Sequence, residues 1–113
     1  MRAARLRRTT DVQRVRREGA SRSDRLFHVS AIGTSSDSTR LAISVSARLG
    51  GAVRRNRARR RTRAAFGRLT ALAPAGADVI VTVRKPAIDA PFAELEHSAE
   101  ALLAALGVLG ARP

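Results

Sequence analysis

Residues 50–66 read GGAVRRNRARRRTRAAF, and seven of the ten positions from Arg54 to Arg63 are arginine. Laid on a helix at about 100° per residue, Ala58, Thr62, Ala65, Phe66 and Leu69 gather in an arc of roughly 100°. Arg54, Arg57, Arg59, Arg60, Arg61 and Arg63 spread over the remaining circumference, with Asn56 among them. Arg55 falls inside the apolar arc, but near the helix start, where a long side chain can escape. The segment is an amphipathic helix with a narrow buried seam and a broad guanidinium surface.

Such a surface needs a counter-charge. Like charges one turn apart destabilise a helix, and no acidic residue occurs between Asp37 and Asp78. An external polyanion supplies the compensation most simply, which favours nucleic acid over inert solvation. A membrane surface competes poorly, because the helix offers mainly Ala, Thr, one Phe and one Leu opposite its charges. The chain as a whole points the same way, with 22 basic and 9 acidic residues and a net charge of +13. All but one of the basic residues are arginine, Lys85 being the exception. The accompanying alanine points to a base-composition bias, so arginine over lysine carries little functional weight.

The 113 residues allow one small domain, spanning 1–113, and the absence of cysteine excludes disulfides and thiolate metal sites. No apolar run approaches a membrane span, and the N-terminal MRAARLRRTT lacks the apolar stretch of a signal peptide. A soluble, cytoplasmic protein is expected. Residues 1–8 read as a mobile basic arm and 108–113 as a frayed end.

Working outward, Thr10 and Gln13 have capping-box spacing, and a short helix is expected from about Asp11 to Glu18, stopped by Gly19. Residues 25–32, RLFHVSAI, read as a strand with Phe27, Val29 and Ala31 on one face. GTSSDS at 33–38 is turn chemistry. Residues 39–46, TRLAISVS, alternate, with Leu41, Ile43 and Val45 opposite Arg40, Ala42, Ser44 and Ser46. A hairpin of these two strands is expected, buried on one face and polar on the other. After the arginine helix, Asp78 to Lys85 is the most strand-like stretch. A last helix starts near Pro91, carries Phe92, Leu95, Ala99, Leu102, Leu103 and Leu106 at helical spacing, and stops at Gly107. The order predicts an α+β sandwich, its two longer helices on one side of the sheet.

Ser44-Val-Ser46, Arg48-Leu-Gly50, the run Ala52 to Arg57, and Arg59, Arg60 and Arg63 together resemble the protein subunit of bacterial ribonuclease P. The likeness extends to Asp11, Val15 and Gly19 before the first strand and to Val79 through Ala87 at the Arg-Lys-Pro-Ala exit. It covers about 100 residues in order. The resemblance implies an α/β sandwich of αβββαβα order, with a left-handed βαβ crossover through the basic helix. A third strand would then lie within residues 20–46. It also implies a role in a Mg2+-dependent ribonucleoprotein endoribonuclease that removes the 5′ leader of precursor tRNA, its active site in the RNA. By that resemblance Arg48, Arg54, Arg55, Asn56, Arg57, Arg59, Arg60 and Arg63 would contact ribonuclease P RNA. Val12, Arg16, His28, Ser30, Ala42, Ser44 and Ser46 would line a leader-binding cleft, with Arg84 and Lys85 at its margin. Val12, Arg16 and Ser30 stand where the family often carries aromatics, and Arg16 can instead stack on a base or pair with phosphate. Arg61 and Thr62 stand where apolar residues are common, and Ala47 replaces a usual basic residue.

The residues themselves carry no catalytic constellation. His28 is a lone imidazole on a strand face, better suited to an RNA contact or to packing than to general base work. His97 stands among Glu94, Glu96 and Glu100, where a surface role outweighs metal binding. The aspartates sit at element ends, where caps and turns explain them. Neither a catalytic nor a metal-ligating residue is expected in the protein. The alternative is a general basic RNA-binding or ribosome-associated protein without a catalytic partner.

Overall fold

The computed structural model describes residues 4–73 and 76–109. In chain order the elements are β1 (Ala4–Arg5), α1 (Thr9–Glu18), β2 (Ala20–Ser23), β3 (Phe27–Gly33), β4 (Arg40–Ser44), α2 (Ala52–Ala71), β5 (Ala77–Val83) and α3 (Phe92–Ala105). Single 3-10 turns lie at Ala47–Leu49 and Lys85–Ile88. The strands form one sheet in the order β1-β4-β5-β3-β2.

β5 occupies the centre, parallel to β4 and antiparallel to β3. Its sequence explains why. Val79, Val81 and Val83 enter the main core while Ile80 enters a second cluster with Leu6 and Val15, so the strand is buried on both faces. The hairpin expected between residues 25–32 and 39–46 therefore does not form; β5 inserts between β3 and β4, and each pairs with it. The third strand within 20–46 is β2, antiparallel to β3.

α1 packs on one face of the sheet, and α2 and α3 on the other. The hand of the β4–α2–β5 crossover follows from the ladder. The Arg84 N–H donates to the Leu26 carbonyl (2.9 Å), and the Gly76 carbonyl accepts from Thr34 (3.1 Å). Even-numbered residues of β5 and its flanks thus bond toward β3, and odd-numbered ones toward β4. Val79, Val81 and Val83 are odd-numbered, with side chains on the α2 face. When an L-residue in a rising strand points its side chain at the viewer, its N–H and C=O point right. Seen from α2, β4 therefore lies to the right of β5, and the crossover is left-handed, against the strong preference for the opposite hand.

The buried seam of α2 comprises Ala58, Thr62, Ala65, Phe66, Gly67 and Thr70, with Leu69 half-buried. Thr70 carries its hydroxyl into the interior by donating to the Phe66 and Gly67 carbonyls (3.0 and 3.1 Å). Phe66 meets Phe27 edge to face, ring centroids 5.0 Å apart at 88°. Leu95, Ala99, Leu102 and Leu103 form the buried stripe of α3. That helix ends as expected at Gly107, whose φ of 76° is left-handed. There the Val108 N–H reaches back to Leu103 and the Gly107 N–H to Ala104, both at 3.0 Å.

Three end-of-chain expectations change. The arm expected over residues 1–8 is tied to the sheet from Ala4 onward: β1 runs parallel to β4, and Leu6 is buried. Residues 1–3 lie outside the described residues. The Thr10 capping box is absent, because the chain turns directly from β1 into α1. Arg8 takes the N-cap position without a side-chain bond, and Thr10 falls inside the first turn. Val108 is buried against the main core, so the end expected to fray from 108 is anchored there; residues 110–113 lie outside the described residues.

Truncation of Phe66 to Ala is expected to cost about 3–5 kcal/mol, read as a lower urea midpoint. The same truncation at Val53, which is 85% exposed, should shift stability by less than about 0.5 kcal/mol.

Candidate nucleic-acid interface

The turn before α2 aims its first arginines. Ser46 accepts the Arg48 N–H (3.2 Å), capping the Ala47–Leu49 turn, and Gly50 follows at φ 139°. That φ is one side chains rarely adopt, so glycine is needed there for conformation. Along α2, Arg54, Asn56, Arg57 and Arg60 are exposed, and Arg55, Arg59 and Arg63 are half-buried. Arg59 donates to Asn56 Oδ1 (3.0 Å), which fixes the amide. Arg54 pairs with Asp89 at 3.2 Å across an exposed gap. Arg48, Arg57 and Arg60 form no ion pair among the described residues. The eight positions expected to contact RNA thus lie on one helix and the turn that leads into it.

Arg61 has a different place. It donates to the carbonyls of Ala87, Ile88 (2.9 Å) and Ala90, where the chain turns from β5 into α3. A guanidinium fork collects backbone acceptors there, while Thr62 takes the buried position beside it. Of the two residues that depart from the apolar pattern, Arg61 therefore holds α2 against the Lys85–Ile88 turn and Thr62 packs into the buried seam.

On the opposite face, the strand registers set side chains in transverse rows. Ser23, His28, Thr82 and Ser44 lie side by side across β2, β3, β5 and β4. The next row is Ser21, Ser30, Ile80 and Ala42, and the third holds Ile32, Asp78 and Arg40. α1 closes over the apolar part of these rows, with Val15 buried and Val12 packed beside it on Ile80, Ile32 and Ala42. The first row stays half-buried or exposed beside α1, the polar floor of the cleft expected from the sequence. Ser23 Oγ and His28 Nδ1 are hydrogen-bonded within it.

The cleft residues expected from the sequence are distributed unevenly. His28 and Ser44 sit on the floor, half-buried, while Ala42 lies in the next row against the cluster under α1; Val12 and exposed Arg16 stand one turn apart on α1. Ser30 is buried and bonded to Ser21 (2.8 Å), so it supports the floor from beneath α1. Ser46 lies beyond β4, engaged in the Arg48 cap. Arg84 and Lys85 are exposed at the far end of β5, and Arg84 donates to the Asp24 carbonyl (2.8 Å). Thr82 and Ser23 belong to the floor and were missed. Thr82 was legible, since alternation in DVIVTV sets it with Ile80 against the valines; Ser23 was not, because β2 has no apolar pattern.

α1 is held down by a charged clamp. Arg40 Nε and Nη2 bind the two oxygens of Asp78 at 2.8 and 2.7 Å, and Nη1 reaches Asp11 of α1 at 3.3 Å. The hydrogen bond to Asp78 raises the Arg40 pKa, outweighing the desolvation that opposes it. Asp78 is buried, and both of its carboxylate oxygens are bound by Arg40. Among the described residues no three His, Cys, Asp or Glu side chains gather into a metal-holding group. Exposed His97 stands on the outer side of α3.

Similarity to known proteins places the chain in a family. Residues 1–107 match the family model described as Ribonuclease P. The chain belongs to the ribonuclease P protein family. A ribonuclease P protein component of Chloroflexus aurantiacus is 43% identical over 103 residues, covering 90% of this chain and 76% of that protein. One from Staphylococcus haemolyticus is 38% identical over 101 residues, covering 89% and 88%. The solved ribonuclease P protein of Staphylococcus aureus superposes with a TM-score of 0.83 at 34% identity, covering 96% of this chain and 99% of that one. Ribonuclease P membership makes this chain the protein component of a ribonucleoprotein, RNA-binding and engaged in tRNA processing, with ribonuclease P RNA as its partner. Among the described residues no helix is long and apolar enough to cross a membrane.

Replacing Arg40 by Leu is expected to destabilise the fold by about 2–4 kcal/mol, since it strands the buried Asp78 charge while solvent screens part of the loss. Asp11→Asn should cost less than about 1 kcal/mol, because Asp78 keeps its bidentate partner. Chemical denaturation of the two variants checks the ranking.

Proposed function

We propose that the two surfaces divide the work of the holoenzyme: α2 docks on ribonuclease P RNA, and the cleft beside α1 holds the 5′ leader of precursor tRNA. The observation that carries this reading is their placement on opposite faces of one sheet, one a guanidinium surface and the other a polar, hydroxyl-lined floor. Arg57 and Arg60, which form no ion pair among the described residues, offer planar forks to phosphate oxygens. Arg54, Arg55, Asn56, Arg59 and Arg63 extend that contact along the helix, with Arg48 at its start.

On the other face, Ser44, Thr82 and His28 present donors and acceptors to the leader's sugar and phosphate oxygens. Val12 offers an apolar edge, and Arg16 stacks on a base or pairs with phosphate. Arg84 and Lys85 add charge where the strand leaves the cleft. The protein orients the leader and neutralises phosphate charge; bond cleavage belongs to the RNA. The reaction needs Mg2+, a hard cation that prefers oxygen donors. The two carboxylates nearest the cleft, Asp11 and Asp78, are both engaged by Arg40. That leaves the RNA's own oxygens as the donors for the ion. The product is the mature 5′ end of tRNA.

Adding the chain to a cognate ribonuclease P RNA should accelerate precursor-tRNA cleavage at near-physiological Mg2+, and the gain should fade when the leader is cut to one nucleotide. Binding that ignores RNA identity, with no acceleration, would instead mark a general RNA-binding protein. Arg57→Ala with Arg60→Ala should weaken assembly about tenfold or more while sparing leader dependence; Arg16→Ala should do the reverse.

A further inference from the structure

At the β1 edge of the sheet the two faces are joined by a trough. Its walls are Arg5 and Arg7 on one side and Asn56, Arg59, Arg60 and Arg63 on the other. Its apolar lining comprises Leu6, Ala42, Ile43 and Val53. Three features set it apart from ordinary surface. Arg5 and Arg7 are exposed and form no ion pair among the described residues. No acidic side chain lines it. Val53 stands 85% exposed on the first turn of α2, an aliphatic surface ringed by guanidinium groups.

Cations that converge around a bare apolar patch match the chemistry of an unstacked nucleotide. The phosphates meet the arginines, and the base face covers the aliphatic surface. A peptide partner would have to be highly acidic to answer Arg5, Arg7, Arg59 and Arg60, and a membrane surface would need bulkier apolar groups than one valine. The trough continues the α2 surface: four of its wall residues are those proposed above to contact ribonuclease P RNA.

We infer that this trough is an additional site for the catalytic RNA, seating an unpaired segment whose phosphates bind Arg5 and Arg7 and whose base lies on Val53. The inference rests on the assignment of α2 to that RNA. It recruits the N-terminal segment, which the sequence alone leaves as a loose arm, into the docking surface. β1 gives it purpose: pairing with β4 holds Arg5 and Arg7 at a set distance from α2.

The test uses the full chain, cognate ribonuclease P RNA, and precursor tRNA with long or one-nucleotide leaders. Arg5→Ala with Arg7→Ala should weaken assembly with the RNA roughly tenfold. It should flatten the salt dependence of log K by about 1.4, as expected for two lost phosphate contacts. Val53→Ser should weaken assembly while leaving the salt slope unchanged, because it removes an apolar contact and no charge. The ratio of KM values for long and short leaders should not move in either variant. Unchanged assembly in both variants overturns the inference, and a loss confined to leader dependence overturns it by giving the trough to the substrate. Arg57→Ala with Arg60→Ala serves as the control. If that pair weakens assembly while the trough variants do not, the trough alone is rejected; if the parent chain fails to select cognate RNA, the functional reading fails first.

Discussion

The fold depends on β5 being buried on both faces. A strand that sends Val79, Val81 and Val83 one way and Ile80 the other has to lie in the middle of a sheet and be covered above and below. Three helices supply the cover. α2 and α3 close the valine side, where Phe66 and Phe27 meet, and α1 closes the isoleucine side with Val15. Only part of the second side is covered, because α1 has ten residues and a single fully buried anchor. The accessible floor beside α1 is what a short helix leaves open on a wide sheet. The Arg40 clamp then decides where that opening lies, joining Asp78 at the start of β5 to Asp11 near the start of α1.

Charge is the second constraint. α2 concentrates repulsion that its own sequence cannot relieve, and the fold relieves only some of it. Asp89 meets Arg54, Asn56 meets Arg59, and three backbone carbonyls absorb Arg61. Each of these also orients α2 or a side chain on it, although only Asp89 supplies an opposite charge. The acids of α3, Glu94, Glu96 and Glu100, lie on the other long helix, so the molecule is polar in the electrostatic sense. A polyanion approaching it meets α2 and the β1 edge favourably and α3 unfavourably, which sets orientation before contact.

Much of this was legible in residue order. The seam of α2, the stripe and stop of α3, and the strand faces of 25–32 and 39–46 follow from periodicity, because each buries a regular apolar set. What was hidden lacked such a set. β2 reads ASRS and is exposed throughout, so only its partner β3 makes it a strand. β1 has two residues and one buried neighbour, Leu6, in a stretch otherwise rich in arginine. Pairing order was also out of reach: 25–32 and 39–46 are neighbours in sequence, and alternation says nothing of a third strand entering between them. In the candidate site, charge and resemblance pointed to α2 and to half of the floor, His28 and Ser44, but not to the separation of Arg61 from its neighbours. That distinction depends on carbonyls 26 to 29 residues away.

The hand of the crossover ties fold and site together. With β4 and β5 parallel and adjacent, a right-handed connection would place α2 on the opposite face, beside α1 and over the Ser44, Thr82 and His28 row. The basic helix and the polar floor would then compete for one side of the sheet, and the cleft would be roofed. The left-handed path sends α2 to the valine face, where its narrow seam of Ala, Thr and Phe fits against the core. It leaves the polar row open on the other side. The two surfaces can then be occupied at once, and the shortest route between them runs around the β1–β4 edge. That edge is where Arg5 and Arg7 stand opposite Arg59, Arg60 and Arg63. If each face holds RNA, as proposed, a basic edge favours a polyanion that passes from α2 to β1.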